Sequence, residues 1–427
     1  MIFKIRILYY LIEIKLIKLL FNNNLNKLQT WRWKVLLKKI SSSPFYSPLI
    51  KHQFKNFPIL DKKEFLKNFD LINTKNISFD KASEIALKAE KTRDFKPSVN
   101  NITVGLSTGT SGNKAVFLAS EKERAYWTAT IIDRVIGWSF RKRKVAFFLR
   151  ANSNLYESVN SKLIDFNFFD LLVSSEQNLK KLQLLNPNVL VAQPSMLLEI
   201  ADAIKNNTLK IKPDKIISVA EALYVDDKRY LEKIFNQKIH QVYQCNEGFL
   251  AHTCKYGNLH FNEDFLIIEK QYLDKEKKRF FPIITDLKRT TQPIIRYKLD
   301  DIIHEKFDCL CSLKSTAIEM VEGRNDDVLK LINNKGDIVL VFPDFVRRAV
   351  IFSDKNIFNY SVTQKEKNLI DLFIEGEDLQ YENAKKSIIE LLRNLEIEGV
   401  KITRSKNLDH VKGTKLRRIK NEYKISN

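Results

Sequence analysis

The chain is poor in the residues that carry covalent and redox chemistry. Its 427 residues include four cysteines, six histidines and three methionines. Cys245, Cys254, Cys309 and Cys311 are too few to staple a chain of this length with disulfides, so a reducing, cytoplasmic setting is expected. GLSTG at 105–109 spells GxSxG, but no GxSxG elbow and no cysteine–histidine arrangement stands in a plausible catalytic context, so no protein nucleophile is expected. No long apolar run occurs either. The opening MIFKIRILYYLIEIKLIKLL is broken by Lys4, Arg6, Glu13, Lys15 and Lys18 well short of the ~20 residues that span a bilayer. No small-residue cleavage site follows it. It is expected to be an amphipathic helix packed on the protein, with peripheral contact to a membrane surface as the alternative. No internal repeat is evident.

What is present is 44% hydrophobic residues, enough for a folded chain of two or three domains. The formal charge is +21, a field that attracts polyanions whatever the fold. The lysines are dispersed, and no helix-turn-helix, RNA-recognition or zinc-finger spacing appears. No specific nucleic-acid partner is therefore expected, and polyanion binding stays as an alternative reading.

Taken in order, residues 1–56 read as helices closing near the Ser/Pro cluster SSSPFYSP. FPILDKKEF then turns into a new helix that Asp61 can cap. Ile102 to Leu106 is a short strand, resumed from Ala115 to Leu118, and EKERAYWTATIIDRVIGW has helical spacing. VAFFLR, NVLVAQPSMLLEIADAI and KIISVAEALYVDDKRYLEKIF continue a strand–helix rhythm, which predicts mostly parallel strands with covering helices. VAFFLR ends at Arg150, at the strand end where an acidic substrate could sit. From His240 to about 321 shorter strands and turns predict a β-rich subdomain, with IHQVYQ, RFFPIITDL and QPIIRYKLDD among its strands. From 324 to 427 a smaller α+β unit follows, with strands near VLKLI and DIVLVF and a basic tail beyond about 404.

Joining the strand from Ile102 to Leu106 with its resumption from Ala115 to Leu118 is LSTGTSGNKAVFL, residues 106–118. Ser107, Thr108, Gly109, Thr110, Ser111 and Gly112, with Lys114 behind, can form a turn whose amides and hydroxyls converge on an anion. The spacing is not that of the GxxxxGK[ST] nucleotide loop. It resembles the phosphate loop of the adenylate-forming enzymes, in the branch of the phenylacetate-CoA ligases and their capsule-locus relatives.

The resemblance extends over residues 57 to about 420 and implies a large adenylate-forming domain at 57–323 and a small mobile domain at 324–427, joined by a hinge. In SVAEA, Ala220 and Glu221 match the family's adenine-binding turn. In VYQCNEGF, Tyr243 matches the aromatic that stacks on adenine, and Glu247 the acid that holds Mg2+ against the ATP phosphates. In PIIRYKLDD, Asp301 matches the carboxylate that takes the ribose hydroxyls, with Asp300 the fallback. EGRNDDVLK resembles the hinge, with Asp326 at the pivot and Arg324 near ribose or phosphate. Lys415 matches the mobile catalytic lysine, and Lys412 competes for that role. Thr110, Glu247 and Lys415 are thus the catalytic candidates. Four departures stand out: Ala115 where a lysine is common, Gln244 and Asn246 around the aromatic-to-acid motif, Asp300 where a basic or glycine residue is common, and Thr414 between Gly413 and Lys415.

Cys254, His260, Cys309 and Cys311 offer thiolates and an imidazole suited to a tetrahedral zinc, with His252 an alternate ligand and Cys245 outside the set. Four protein ligands would leave no open position, so such a zinc is structural and resembles that of some relatives. The implied activity is adenylation of a carboxylic acid by ATP with release of pyrophosphate. Transfer to coenzyme A or another acceptor would follow. An ATP-binding relative that no longer turns over is the alternative.

Overall fold

The structure is a computed structural model. It describes residues 2–21, 24–92, 96–106, 116–137, 139, 141–149, 154–324, 327–354, 356–357, 359–408 and 417–423. The chain divides into two compact units. The first comprises Met1–Leu299 and His304–Met320, and the second Asp300–Ile303 and Val321–Asn427. The dividing line cuts through the strands Asp301–Lys306 and Ala317–Arg324.

The first unit contains the three parallel strands expected from the strand–helix rhythm, Arg143–Leu149, Val189–Ala192 and Lys215–Ser218, and two more that flank them. Ile164–Asp170, Arg143–Leu149, Val189–Ala192, Lys215–Ser218 and Ile239–Cys245 lie side by side in that order, all parallel. The three inner strands, Arg143–Leu149, Val189–Ala192 and Lys215–Ser218, are mostly buried, as parallel strands under helices must be, whereas the outer two are only partly buried. The helices Ser175–Leu185, Pro194–Lys205 and Val225–Phe235 alternate with them. Their apolar sides meet the strands in a core that includes Phe148, Phe169, Leu190, Leu197, Ile216 and Leu231. The Asp61 cap forms as expected: its carboxylate accepts from the Glu64 amide, and Glu64 reaches back to the Asp61 amide.

The strand Ile239–Cys245 is where the sheet changes character. On one side it pairs parallel with Lys215–Ser218, and on the other antiparallel with Gly248–Thr253. The β-rich stretch is therefore the antiparallel half of one continuous twelve-stranded mixed sheet. A tight turn at 246–247 permits only an antiparallel return, whereas parallel strands need a long crossover. QPIIRYKLDD is only partly strand: Tyr297–Lys298 pairs with Arg279–Asp286 and Asp301 opens the next strand, while Arg296 adopts φ +48° and turns the backbone. Its guanidinium pairs with both oxygens of Glu269 and donates to the carbonyls of Lys55 and Phe57.

A separate three-stranded antiparallel sheet, Ser98–Val99, Ile102–Leu106 and Val116–Ala119, carries the glycine-rich segment between its last two strands. Residues 107–115, which make up that segment, lie outside the described residues. The first helix, Ile2–Leu20, packs on the helix Glu121–Ile131. Arg6 pairs with Glu121, Lys15 and Lys18 pair with Asp133, and the Tyr10 ring meets Tyr126 edge-on at 5.3 Å.

The second unit holds a two-stranded hairpin, Leu329–Ile332 with Ile338–Val341, and a four-stranded mixed sheet. The helices Pro343–Ile351 and Asp378–Asn394 contribute to its core with Val346, Val350, Tyr381 and Ile388. One edge strand of the mixed sheet is Ile419–Asn421, parallel to Tyr360–Glu366. The segment beyond 404 is thus not all solvated tail: Ile419 is an apolar residue within a charged stretch, and it is buried in this core.

Candidate active site and metal cluster

In the first unit the family-matched residues sit at the carboxyl ends of parallel strands, where an open α/β sheet leaves a crevice. Lys215–Ser218 and Ile239–Cys245 are register partners, with Ser218 opposite Gln241. The Ala220–Glu221 turn follows the end of the first strand, and Tyr243 lies two residues beyond Gln241 on the second. Ala220 has φ +67° without being glycine. Such a conformation costs roughly 1 kcal/mol, and strain of this kind gathers at functional sites. Glu221 is held in place by accepting from the Ser195 amide at 3.3 Å, at the start of the helix Pro194–Lys205. Tyr243 is half-buried, its ring 6.5 Å from that of Phe261.

Glu247 lies in the turn between Ile239–Cys245 and Gly248–Thr253. That turn is fixed from three sides. Gln244 accepts from the Trp127 indole at 3.0 Å. Asp286 sits so close to Gly248 that a Cβ there would come within 3.1 Å of its carboxylate. Arg289 donates to the carbonyl of Asn246.

Arg289 also reaches the strand that leaves the glycine-rich segment. Its other terminal nitrogen donates to the Leu118 carbonyl at 3.3 Å and to Gln292 at 3.0 Å. Gln292, almost fully buried, accepts from the Leu118 amide at 3.1 Å. Thr290 and Thr291 donate their amides to one oxygen of Glu123, at 2.6 and 2.8 Å, and Glu123 caps the helix Glu121–Ile131 through Ser120. The stretch 286–292 therefore ties together the return strand of the glycine-rich segment, the helix after it and the Glu247 turn. Burial lifts the Asp286 carboxyl to about 6, against the lowering effect of the Lys288 and Arg289 amides and the Arg289 charge. The sequence reading did not single out Arg289, Gln292 or Glu123. Only the S-x-x-E capping box at Ser120–Glu123 was a legible signal.

In the second unit Asp301 and Arg324 are brought together, with Arg324 Nε 3.5 Å from Asp301 Oδ1. The Arg324 amide donates to Asp327 at 3.0 Å, and Asp327 in turn accepts from Arg417 Nε at 2.7 Å. Burial raises the Asp327 carboxyl although Arg417 and Arg324 oppose it. Ser107 to Gly112, Lys114, Arg150, Asp326, Lys412 and Lys415 lie outside the described residues.

The cysteine–histidine set converges in the first unit. Ligand atoms of Cys254, His260, Cys309 and Cys311 all lie within 4.8 Å of one another, and the four could hold a metal ion. Cys254 opens a tight turn closed by Gly257, His260 follows on Leu259–Phe261, and the other two thiols come from the segment after Asp301–Lys306. His260 Nε2 is 3.2 Å from Cys309 Sγ and 3.3 Å from Cys311 Sγ. Its Nδ1 faces the Ser315 carbonyl at 3.0 Å, which leaves Nε2 as the lone-pair nitrogen. Burial works to raise the Cys309 thiol, but its contacts with the Cys311 amide, the His260 ring and Asn258 outweigh it and bring it down to about 6. His252 turns to Asn262 at 2.7 Å and is not among the four, and Cys245 also lies apart.

No protein-family model matches the chain. It is 22% identical to indoleacetate–lysine synthetase of Pseudomonas savastanoi over 68% of this chain and 74% of that one. It is 22% identical to Protein CapK of Staphylococcus aureus over 86% and 82%. In fold it is similar to 2-hydroxyisobutyryl-CoA ligase in its postadenylation state, with a TM-score of 0.63 at 12% identity over 92% of this chain and 88% of that one. An anthranilate CoA ligase in complex with anthranoyl-AMP is similar at a TM-score of 0.50 and 13% identity, over 75% and 67%. Among the described residues no helix is long and apolar enough to cross a membrane. In sequence the chain is thus similar to indoleacetate–lysine synthetase and Protein CapK, and in fold to CoA ligases.

Proposed function

We propose that the protein activates a carboxylic acid with ATP, forming an acyl-adenylate and releasing pyrophosphate, and then passes the acyl group to an acceptor. The observation that carries this reading is Arg289. It binds at once the Glu247 turn and the return strand of the glycine-rich segment, so the two parts expected to meet the ATP phosphates share one anchor.

In this reading the acid's carboxylate oxygen attacks the α-phosphorus of ATP. The bond to the β-phosphate bridging oxygen breaks, and pyrophosphate leaves with that electron pair. No protein nucleophile is needed, so the work is positioning and charge stabilisation. Ser107 to Gly112, with Thr110 among them, cradle the departing phosphates, and Lys114 adds charge. Tyr243 stacks on adenine, and the Ala220–Glu221 turn borders it. Asp301 accepts from the ribose hydroxyls, with Arg324 beside it. Lys415, or Lys412 in its place, neutralises charge at the α-phosphate after a rotation about Asp326. Glu247 would hold Mg2+, which supplies charge neutralisation to the triphosphate when bound. Cys254, His260, Cys309 and Cys311 would hold a zinc ion that cross-links two hairpins and has no open position for chemistry.

The acceptor is coenzyme A or another thiol, amine or hydroxyl. An amine enters because indoleacetate–lysine synthetase is named for joining an acid to lysine. A role at a capsule locus is drawn from the likeness to CapK. The four free cysteines accord with a reducing, cytoplasmic setting. Isotope exchange between pyrophosphate and ATP, run across aryl, fatty and hydroxy acids, tests the reaction. Exchange with one acid class, abolished by Glu247→Gln, supports it. ATP binding without exchange for any acid would favour the inactive relative instead.

A further inference from the structure

The first helix, Ile2–Leu20, has two apolar sides. One is packed on the protein: Leu11, Ile14 and Ile17 are buried, and Tyr10 lies against Tyr126. Four of the charges that interrupt the run have partners on the protein, Lys15 and Lys18 from exposed positions. Arg6 meets Glu121, Glu13 meets Lys288 and Arg32, and Lys15 and Lys18 meet Asp133.

The second apolar side is left in solvent. Ile2, Ile5, Tyr9, Ile12, Leu16 and Leu19 are each at least half exposed, up to 77% at Leu19. Their alternating three- and four-residue spacing places them in one stripe, about 26 Å long at 1.5 Å per residue. A soluble helix normally turns its charges outward and its leucines inward. Here Arg6 and Glu13 are held in ion pairs with the protein while the aliphatic residues face out.

We infer that this stripe is a docking surface for an anionic lipid bilayer, on which the helix lies in the plane of the headgroups. Charge complementarity selects that occupant. The first sixty residues contain eleven lysines and arginines and a single acid, Glu13, which is used inward. At 100° per residue Lys4, Lys15 and Lys18 line one edge of the stripe, and all three are exposed. The next helix, Leu25–Lys39, presents Lys27, Trp31, Lys34 and Lys38 on one exposed face. Its Trp31 ring lies 5.7 Å from that of Phe21, where the first helix ends. Exposed aliphatic residues beside lysines, with a tryptophan at the junction, form the arrangement that binds a headgroup boundary.

A second copy fits less well. A coiled-coil seam needs three to four heptads to stand alone, and nineteen residues give fewer than three. Self-pairing would also set one basic edge against another.

The test is flotation of the full-length protein with vesicles of phosphatidylcholine alone or mixed with phosphatidylglycerol. The protein should float with the mixed vesicles and be released by salt, because the attraction acts within a Debye length. Ile12→Asp with Leu16→Asp should abolish flotation without changing the thermal midpoint, since both side chains are in solvent. Removing Lys27, Lys34 and Lys38 as alanines should lower partitioning about fivefold per charge, roughly a hundredfold together. A wild-type protein that stays in the aqueous layer overturns the inference. So does light scattering that shows a dimer split by the two aspartates while vesicles are ignored.

Discussion

His260 Nδ1 lies 3.0 Å from the carbonyl oxygen of Ser315, and this one contact orients the ring so that Nε2 faces two thiols. A ring used only for packing has no need of that tautomer, whereas a metal-binding imidazole does. Protein purified without a histidine tag should therefore carry about one zinc per chain. Cys309→Ser with Cys311→Ser should lose the metal and lower the thermal midpoint. A metal-free wild-type protein with an unchanged midpoint in chelator would refute the site.

Arg289 is expected to be the most sensitive position outside the family-matched residues. Arg289→Ala removes its bonds to Asn246, Leu118 and Gln292 and leaves buried carbonyls unmet, at a cost of about 2–4 kcal/mol. Pyrophosphate exchange should fall far more than stability alone explains, because the Glu247 turn and the phosphate-loop strand lose their common anchor. Urea titration alongside exchange separates the two effects. Full exchange in a folded Arg289→Ala protein would remove the argument for a shared anchor.

Stability should depend on pH through Asp286. Its carboxyl titrates near 3.8 when unfolded and at about 6 in the fold, where burial disfavours the charge. The folded state thus holds the extra proton between those values. The stabilisation is complete below about 4 and is lost as pH rises through about 6. Asp286→Asn keeps an oxygen for the Lys288 and Arg289 amides without carrying the charge. It should flatten that slope and gain about 1–3 kcal/mol over the parent at neutral pH. Urea midpoints across pH 4 to 7 check the sign.

Asp301→Ala should weaken ATP binding roughly tenfold to a hundredfold by removing two hydrogen bonds to ribose. Affinity for the acid should hardly change. Calorimetry with each ligand separates the two, and an unaltered ATP affinity would reassign Asp301 to a purely structural pair with Arg324.

Lys415→Ala should slow adenylation by about a hundredfold or more, the size expected for one group that stabilises developing charge. Transfer from a supplied acyl-adenylate should persist. If Lys412→Ala gives that split and Lys415→Ala does not, the two lysines exchange roles.

Much of this was legible because local chemistry and local geometry coincide. The strand–helix rhythm gave the three inner parallel strands, since a strand buried on both faces must be apolar throughout. Asp61 caps the helix that its place in FPILDKKEF predicted. Other features were hidden because they depend on partners far along the chain. Arg289 stands 171 positions from the Leu118 carbonyl it meets, and no window of sequence contains both. The pairing of Ile419 with Val362 hid a strand inside a basic stretch for the same reason. Arg296 looked like part of a strand until its left-handed turn toward Glu269 was seen.

The amino-acid order by itself determined the chemical inventory. It set glycines and hydroxyls in one loop, a tyrosine four residues before a glutamate, and three thiols with one imidazole able to share a metal. It also set the secondary structure, because side-chain periodicity decides which backbone can bury its apolar atoms. Tertiary structure alone decided which distant groups share a neighbourhood: Arg289 with Asn246 and Leu118, His260 with Cys309 and Cys311, and six aliphatic and aromatic residues left in water on the first helix. The physical reason is that hydrogen bonds and burial are rewarded by proximity in space, and only the folded chain fixes that.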